Sequence, residues 1–151
     1  SLEGEVTREE VLQATDYVFP SLEILDTRIF RKDENTGKMR TVFDTISDNA
    51  ANAGVISGVQ KNDPQKFDLR RVGSIVMRNN EVEETGLGAG VLNDPITGII
   101  WLVKRLSEYN QKISPGEIIL SGSFIRPIEA RKGDEFYADF GDFGFVECKF
   151  N

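Results

Sequence analysis

The sequence contains no histidine. That absence removes Ser-His-Asp and Cys-His triads, imidazole-ligated zinc sites and the commonest general base at neutral pH. Any chemistry must use other groups. The single cysteine, Cys148, can neither close an internal disulfide nor build a thiolate zinc cage, and such sparse cysteine usage fits a reducing, cytoplasmic setting. No apolar run approaches the length of a membrane span. Positive charge is also short: 18 Lys and Arg face 25 Asp and Glu, a formal charge of −7. No basic surface stands ready for a phosphate backbone, so nucleic acid is not an expected partner. Repeats, low-complexity tracts and linkers are missing. The chain opens Ser1-Leu2-Glu3-Gly4 without an initiator Met or the basic and apolar stretches of a signal peptide, and it reads as a sequence entered midway.

What is present suffices for one domain: 151 residues, 39% hydrophobic and 28% charged. Thr7-Arg8-Glu9-Glu10 is a capping box that predicts a helix through about Tyr17, stopped before Pro20. Leu22 to Ile29 reads as extended, with acidic groups among apolar ones, and residues 31 to 41 as a solvated loop. Thr45 to Ala53 suggests a short helix or capped turn, followed by a strand over Val55 to Val59 and a surface loop over Gln60 to Lys66. Val72 to Met77 and Glu81 to Leu87, joined through Arg78-Asn79-Asn80, predict a hairpin. Asn93-Asp94-Pro95 opens the clearest helix, with Ile96, Ile99, Ile100, Val103 and Leu106 on one stripe and Trp101 beside it. Beyond the Pro115-Gly116 turn, Glu117 to Ser121, a segment near Ile125, Glu135 to Phe140 and Phe145 to Phe150 read as short strands. The expectation is a single α+β domain with a curled sheet and flanking helices.

Gly86-Leu87-Gly88-Ala89-Gly90 lacks the G-x-G-x-x-G spacing of a dinucleotide loop and reads as a strand-end turn. Ser121-Gly122-Ser123 offers hydroxyls, but without histidine a nucleophilic serine needs a lysine or carboxylate as base. An oxyanion-binding turn and an ordinary β-turn both fit it. Glu23 and Asp26 lie in an otherwise apolar stretch, where a carboxylate needs a cation: Arg28 or a metal ion. Helix capping accounts for the Asp44, Asp48 and Asn49 cluster.

Taken together, longer blocks say more. Val11 to Val18, Pro20 to Arg28 with its Leu22-Glu23-Ile24 core, and Asp44-Thr45-Ile46-Ser47-Asp48-Asn49-Ala50-Ala51-Asn52-Ala53-Gly54 resemble the 2-oxopent-4-enoate hydratase and 4-oxalocrotonate decarboxylase family of the fumarylacetoacetate hydrolase superfamily. The resemblance continues through Arg78 to Gly86, Val91 to Pro95, Trp101-Leu102, Ile119 to Phe124 and Gly133-Asp134. Within that family, the runs at residues 49 to 54 and 122 to 127 are closer to decarboxylases than to hydratases.

The resemblance implies a fumarylacetoacetate hydrolase-like mixed β-roll or curled sheet. It further implies Mg²⁺ or Mn²⁺ held by a Glu-x-Glu pair and a third glutamate that matches Glu23. No Glu-x-Glu precedes residue 20 in a matching context, since Glu3-Gly4-Glu5 crowds the capping box. By resemblance, residues 1 to 151 are therefore one catalytic-type domain from the carboxyl-terminal part of a longer enzyme, with the catalytic lysine and aspartate upstream. The implied reaction is decarboxylation of 2-oxohex-3-enedioate to 2-hydroxypenta-2,4-dienoate and CO₂ in meta-cleavage aromatic catabolism, with vinylpyruvate hydration as the same-family alternative. A non-catalytic binding fold is the alternative for a chain natively this short. Arg28 and Arg126 are candidates to offset the substrate carboxylates, and Asp48, Asn49, Ser121 and Ser123 complete the substrate-binding candidates. Homo-oligomers and association with the next-step hydratase are family properties that the resemblance extends here.

Overall fold

A computed structural model describes residues 1–151. Thr7 caps α1 (Arg8–Gln13) as expected: its hydroxyl accepts from the Glu10 N–H while the Glu10 carboxylate accepts from the Thr7 N–H at 2.7 Å. The helix stops well short of Tyr17. Thr15 turns its hydroxyl back onto the Val11 carbonyl at 2.7 Å and its N–H onto that of Leu12, which closes the final turn. Extended chain then forms β1 (Ser21–Leu25).

A second capping box, Thr41 with Asp44, starts α2 (Val42–Ser47) earlier than the Thr45 to Ala53 run suggests. Asn49, Ala50 and Ala51 follow with φ of 51°, 53° and 64°. No right-handed helix continues through such residues, so the chain turns directly into β2 (Asn52–Ser57). The predicted hairpin is present as β3 (Gly73–Arg78) and β4 (Glu81–Leu87), with Asn79 and Asn80 at φ 52° and 67° in its turn. Of the Gly86 to Gly90 run, Gly86 and Leu87 end that strand and Gly88–Gly90 form a single 3₁₀ turn. Asp94 caps α3 (Pro95–Ser107), and β5 (Glu135–Asp139) and β6 (Phe145–Lys149) end the chain.

The strands make two sheets, β1-β2 and β4-β3-β5-β6. Every pairing is antiparallel, so neither sheet is mixed. Val76, Phe136, Ala138 and Val146 line the inner face of the larger sheet, and Leu22 and Ile56 of the smaller sheet pack onto them. Val11 and Leu12 of α1 meet Ile96 of α3, Leu69 and Phe143 in a second cluster, and Phe140 touches both. The α3 stripe behaves as its spacing predicts: Ile96 and Val103 are buried, whereas Trp101 is 63% exposed. Asp94 serves twice, capping α3 through Ile96 and pairing with Arg8 of α1 at 2.8 Å.

The expected strands at Glu117 to Ser121 and near Ile125 do not form. Residues 118–130 run extended across the core without one backbone-to-backbone hydrogen bond, because no strand lies beside them. A pattern favouring β structure gives a strand only where a partner supplies the ladder.

Candidate functional site

An open, largely apolar groove of about 1390 Å³ is lined by β1, the 113–130 segment and parts of both helices α1 and α3 and of the larger sheet. Glu23, Ser121, Ser123 and Arg126 line it, and Arg28, Asp48 and Asn49 do not.

Glu23 sits on the outer face of β1, where alternation turns Leu22 and Ile24 inward. Opposite it lies Val55 of β2. Between Ile24 and Leu25 the register slips by one, so that Ala53 has no partner and Asn52 faces Leu25. From there the Asn52 amide donates to Glu23 Oε1 at 2.7 Å. Glu23 Oε2 accepts no hydrogen bond from the protein, and no cation pairs with Glu23 or Asp26.

Arg28, a candidate partner for those carboxylates and for substrate, has another role. Its Nε donates to Asp48 Oδ1 at 2.7 Å, its backbone N–H donates to the same carboxylate, and its Nη2 donates to the Asp48 carbonyl. Nη1 reaches the Asn52 carbonyl at 3.3 Å. Asp48 is buried, 4% exposed, and also accepts from Thr27 Oγ1 at 3.0 Å, which in turn accepts from Arg40. Burial pushes the Asp48 carboxyl up, but the Arg28 and Thr27 hydrogen bonds outweigh it and hold it below the usual carboxylate range. The pair is thus committed to the chain itself and leaves neither side chain free for a ligand. Asn49 is exposed in the left-handed turn beside them.

Across the groove, Ser123 Oγ donates to the Ile125 carbonyl at 3.0 Å and accepts from the Ile125 N–H, an ordinary local turn with Gly122 at φ 112°. The Ser121 hydroxyl, by contrast, makes no hydrogen bond to the protein. Arg126 extends its largely exposed guanidinium onto Glu84 Oε1, at 2.9 Å from Nε. Asn52 and Glu84 escaped the sequence reasoning because their partners are distant in sequence: Asn52 meets Glu23 through the β1–β2 register, and Glu84 meets Arg126 of the strandless 118–130 segment.

No three His, Cys, Asp or Glu side chains converge anywhere in the chain. Glu23 nevertheless suits a hard divalent cation as one corner: a carboxylate with a free oxygen, held by a neutral donor. Mg²⁺ typically takes one or two carboxylates and fills its octahedron with water and ligand oxygens.

The two antiparallel sheets with flanking helices define an α+β fold of the fumarylacetoacetate hydrolase type. It superposes on 4-oxalocrotonate decarboxylase from Pseudomonas putida G7, complexed with calcium and acetate, with a TM-score of 0.88 and 28% identity over 99% of this chain and 54% of that one. The same enzyme complexed with magnesium and adipate gives 0.86 and 27%, over 99% of this chain and 57% of that one. In sequence, the chain is 50% identical to the 2-oxo-hept-4-ene-1,7-dioate hydratase of Escherichia coli over 141 residues, 93% of this chain and 53% of that protein. It is 35% identical to the 2-keto-4-pentenoate hydratase of Paraburkholderia xenovorans (strain LB400) over 144 residues, 95% of this chain and 51% of that protein. No family model matches the chain. The chain is a homologue of this hydratase and decarboxylase family, and it spans about half the length of the relatives it matches.

Proposed function

We propose that this chain is the carboxyl-terminal catalytic part of a longer, divalent-metal-dependent hydratase. Its substrate is a 2-oxo-4-enoate carrying a second, distal carboxylate. Water adds across the C4=C5 bond, hydroxyl to C4 and proton to C5, and no other atom leaves or enters. The observation that carries this reading is the Glu23 carboxylate, fixed by Asn52 at the groove and free of any cation of the protein. The 50% identity to a hydratase of a heptenedioate supports this substrate class, because no other relative described above approaches it.

Glu23 holds one corner of Mg²⁺ or Mn²⁺, with the remaining protein ligands coming from polypeptide outside these residues. A cation bound there would polarise the 2-oxo acid as a Lewis acid. Arg126 is the groove's candidate for the distal carboxylate, since its side chain is 85% exposed and swings from Glu84 at little cost. Ser121, with an uncommitted hydroxyl, is the candidate donor beside it. Arg28 and Asp48 brace the turn behind Asn52, off the groove lining, and touch no substrate.

Decarboxylation of 2-oxohex-3-enedioate is the second reading, favoured by the resemblance of residues 49 to 54 and 122 to 127 to decarboxylases. Incubating the longer enzyme with each substrate and Mg²⁺ or Mn²⁺ separates the two: water addition without CO₂ is the expected result, and stoichiometric CO₂ release from the hexenedioate overturns it. Glu23→Gln in the same protein should weaken Mn²⁺ binding at least tenfold in calorimetric titration while the melting temperature holds. An unchanged titration removes Glu23 from the metal site. An intact mass showing a natural 151-residue product favours the non-catalytic binding fold instead.

A further inference from the structure

We propose that Asn52 is a positioning residue for Glu23, and that the Asp48–Arg28 pair sets Asn52 by clasping the strained turn between them. The proposal rests on the reading of Glu23 as a metal ligand and goes beyond it, because it names what aims that carboxylate.

Three observations converge on Asn52. Its amide is the only protein group on the Glu23 carboxylate, at 2.7 Å. It can reach because the β1–β2 register slips at Ala53; in regular pairing Ala53 would stand opposite Leu25 and would offer no donor. That slip begins where the chain leaves three consecutive non-glycine residues in the left-handed region, Asn49, Ala50 and Ala51. Such conformations persist only where their surroundings over-determine them.

The surroundings do so here. Arg28 donates to the Asp48 carboxylate at the turn's entrance and to the Asn52 carbonyl at its exit, so one guanidinium spans the whole turn. Within it, Ala51 N–H donates to the Asp48 carbonyl at 2.9 Å, and the Ala51 carbonyl accepts from Asp26 N–H at 2.9 Å. Asp26 and Arg28 follow directly on the strand that carries Glu23, which ties both ends of the clasp to the ligand's own element. An exposed carboxylate otherwise samples many rotamers; a fixed donor on Oε1 leaves Oε2 directed outward for a cation. Outer donors of this kind are worth about 10- to 100-fold in metal affinity at sites where they have been removed.

The test is a double-mutant cycle in the longer protein, with Mn²⁺ affinity read from the electron paramagnetic resonance of the free ion and folding from thermal melts. Asn52→Ala is expected to weaken Mn²⁺ about tenfold with the melt unchanged, and to have no further effect once Glu23→Gln is present. Loss of the same size in the Glu23→Gln background means Asn52 acts independently, and overturns the proposal. So does full affinity in Asn52→Ala when Glu23→Gln alone is defective. Full affinity in Glu23→Gln instead removes the metal reading beneath it. Arg28→Lys, which keeps the charge but cannot span the turn, should reproduce part of the Asn52→Ala loss; a wild-type affinity there breaks the link from clasp to amide.

Discussion

Ala50 and Ala51 hold left-handed backbone conformations that cost an L-residue with a Cβ roughly 1–2 kcal/mol each. Glycine relieves that strain and loses some of the gain to the greater freedom of its unfolded chain. Ala50→Gly should therefore raise unfolding stability by about 1 kcal/mol in urea denaturation, and a loss of stability would show that the turn is not strained. The hydrogen-bonded Asp48 carboxylate acts in the same place with a definite sign. Its pKa is lowered on folding, so its contribution is present above the usual carboxylate range and disappears as pH falls through the lowered value. Residue by residue, the sequence exposed candidates and hid partners. Glu23 stood out as an acid among apolar neighbours, and Arg28 as the cation expected to meet it or Asp26; Arg28 instead meets Asp48. That the carboxylate is Asp48, twenty positions away, follows from a turn whose three left-handed residues include two alanines, which carry no signal for that conformation.

Elements with local causes were legible; elements with distant causes were not. The Thr7 box, the Asn79-Asn80 turn and the Asp94-Pro95 cap each act within a few residues, and each stands where its chemistry puts it. The Glu117 to Ser121 segment has the composition of a strand but needs a neighbour that these residues do not supply. The chain just beyond it passes tightly against β4: a Cβ on Gly86 would lie 2.2 Å from the Phe124 carbonyl oxygen. Backbone cannot yield as a side-chain tip can, so Gly86→Ala must push the 121–125 turn off β4. The expected cost is about 2–3 kcal/mol in chemical denaturation. If Ser121 and Arg126 meet the substrate's distal carboxylate as proposed, the same variant of the longer protein should lose affinity for it, because both residues move with the turn. A variant of unchanged stability and unchanged KM would mean that this segment adapts freely.

The whole molecule exposes more than its size warrants. Its accessible surface is 10551 Å², whereas a compact monomer of this mass exposes about 7,700 Å². Only 20 of 151 residues are buried, and Phe30, Val42, Phe43 and Ile46 are each at least 66% exposed around α2. The excess, about 2,900 Å² on this side alone, corresponds to roughly 5,800 Å² counted over both sides, the size class of obligate interfaces rather than of transient ones. Composition could not reveal this, because 39% hydrophobic residues serve equally well for a closed core or for one closed by further polypeptide. If further polypeptide completes the fold as proposed, residues 118–130, which make no backbone-to-backbone hydrogen bond, and the open groove beside β1 are where it would sit. Alone, then, the 151-residue chain should bind anilinonaphthalene sulfonate strongly, elute as concentration-dependent oligomers in light-scattering chromatography and melt broadly. The longer protein should do none of these, since the same apolar surface is then covered within one fold. A chain that stays monomeric on its own, ignores the dye and melts sharply above about 60 °C would show that this surface needs no cover, and with it would go the case for a site completed from outside these residues.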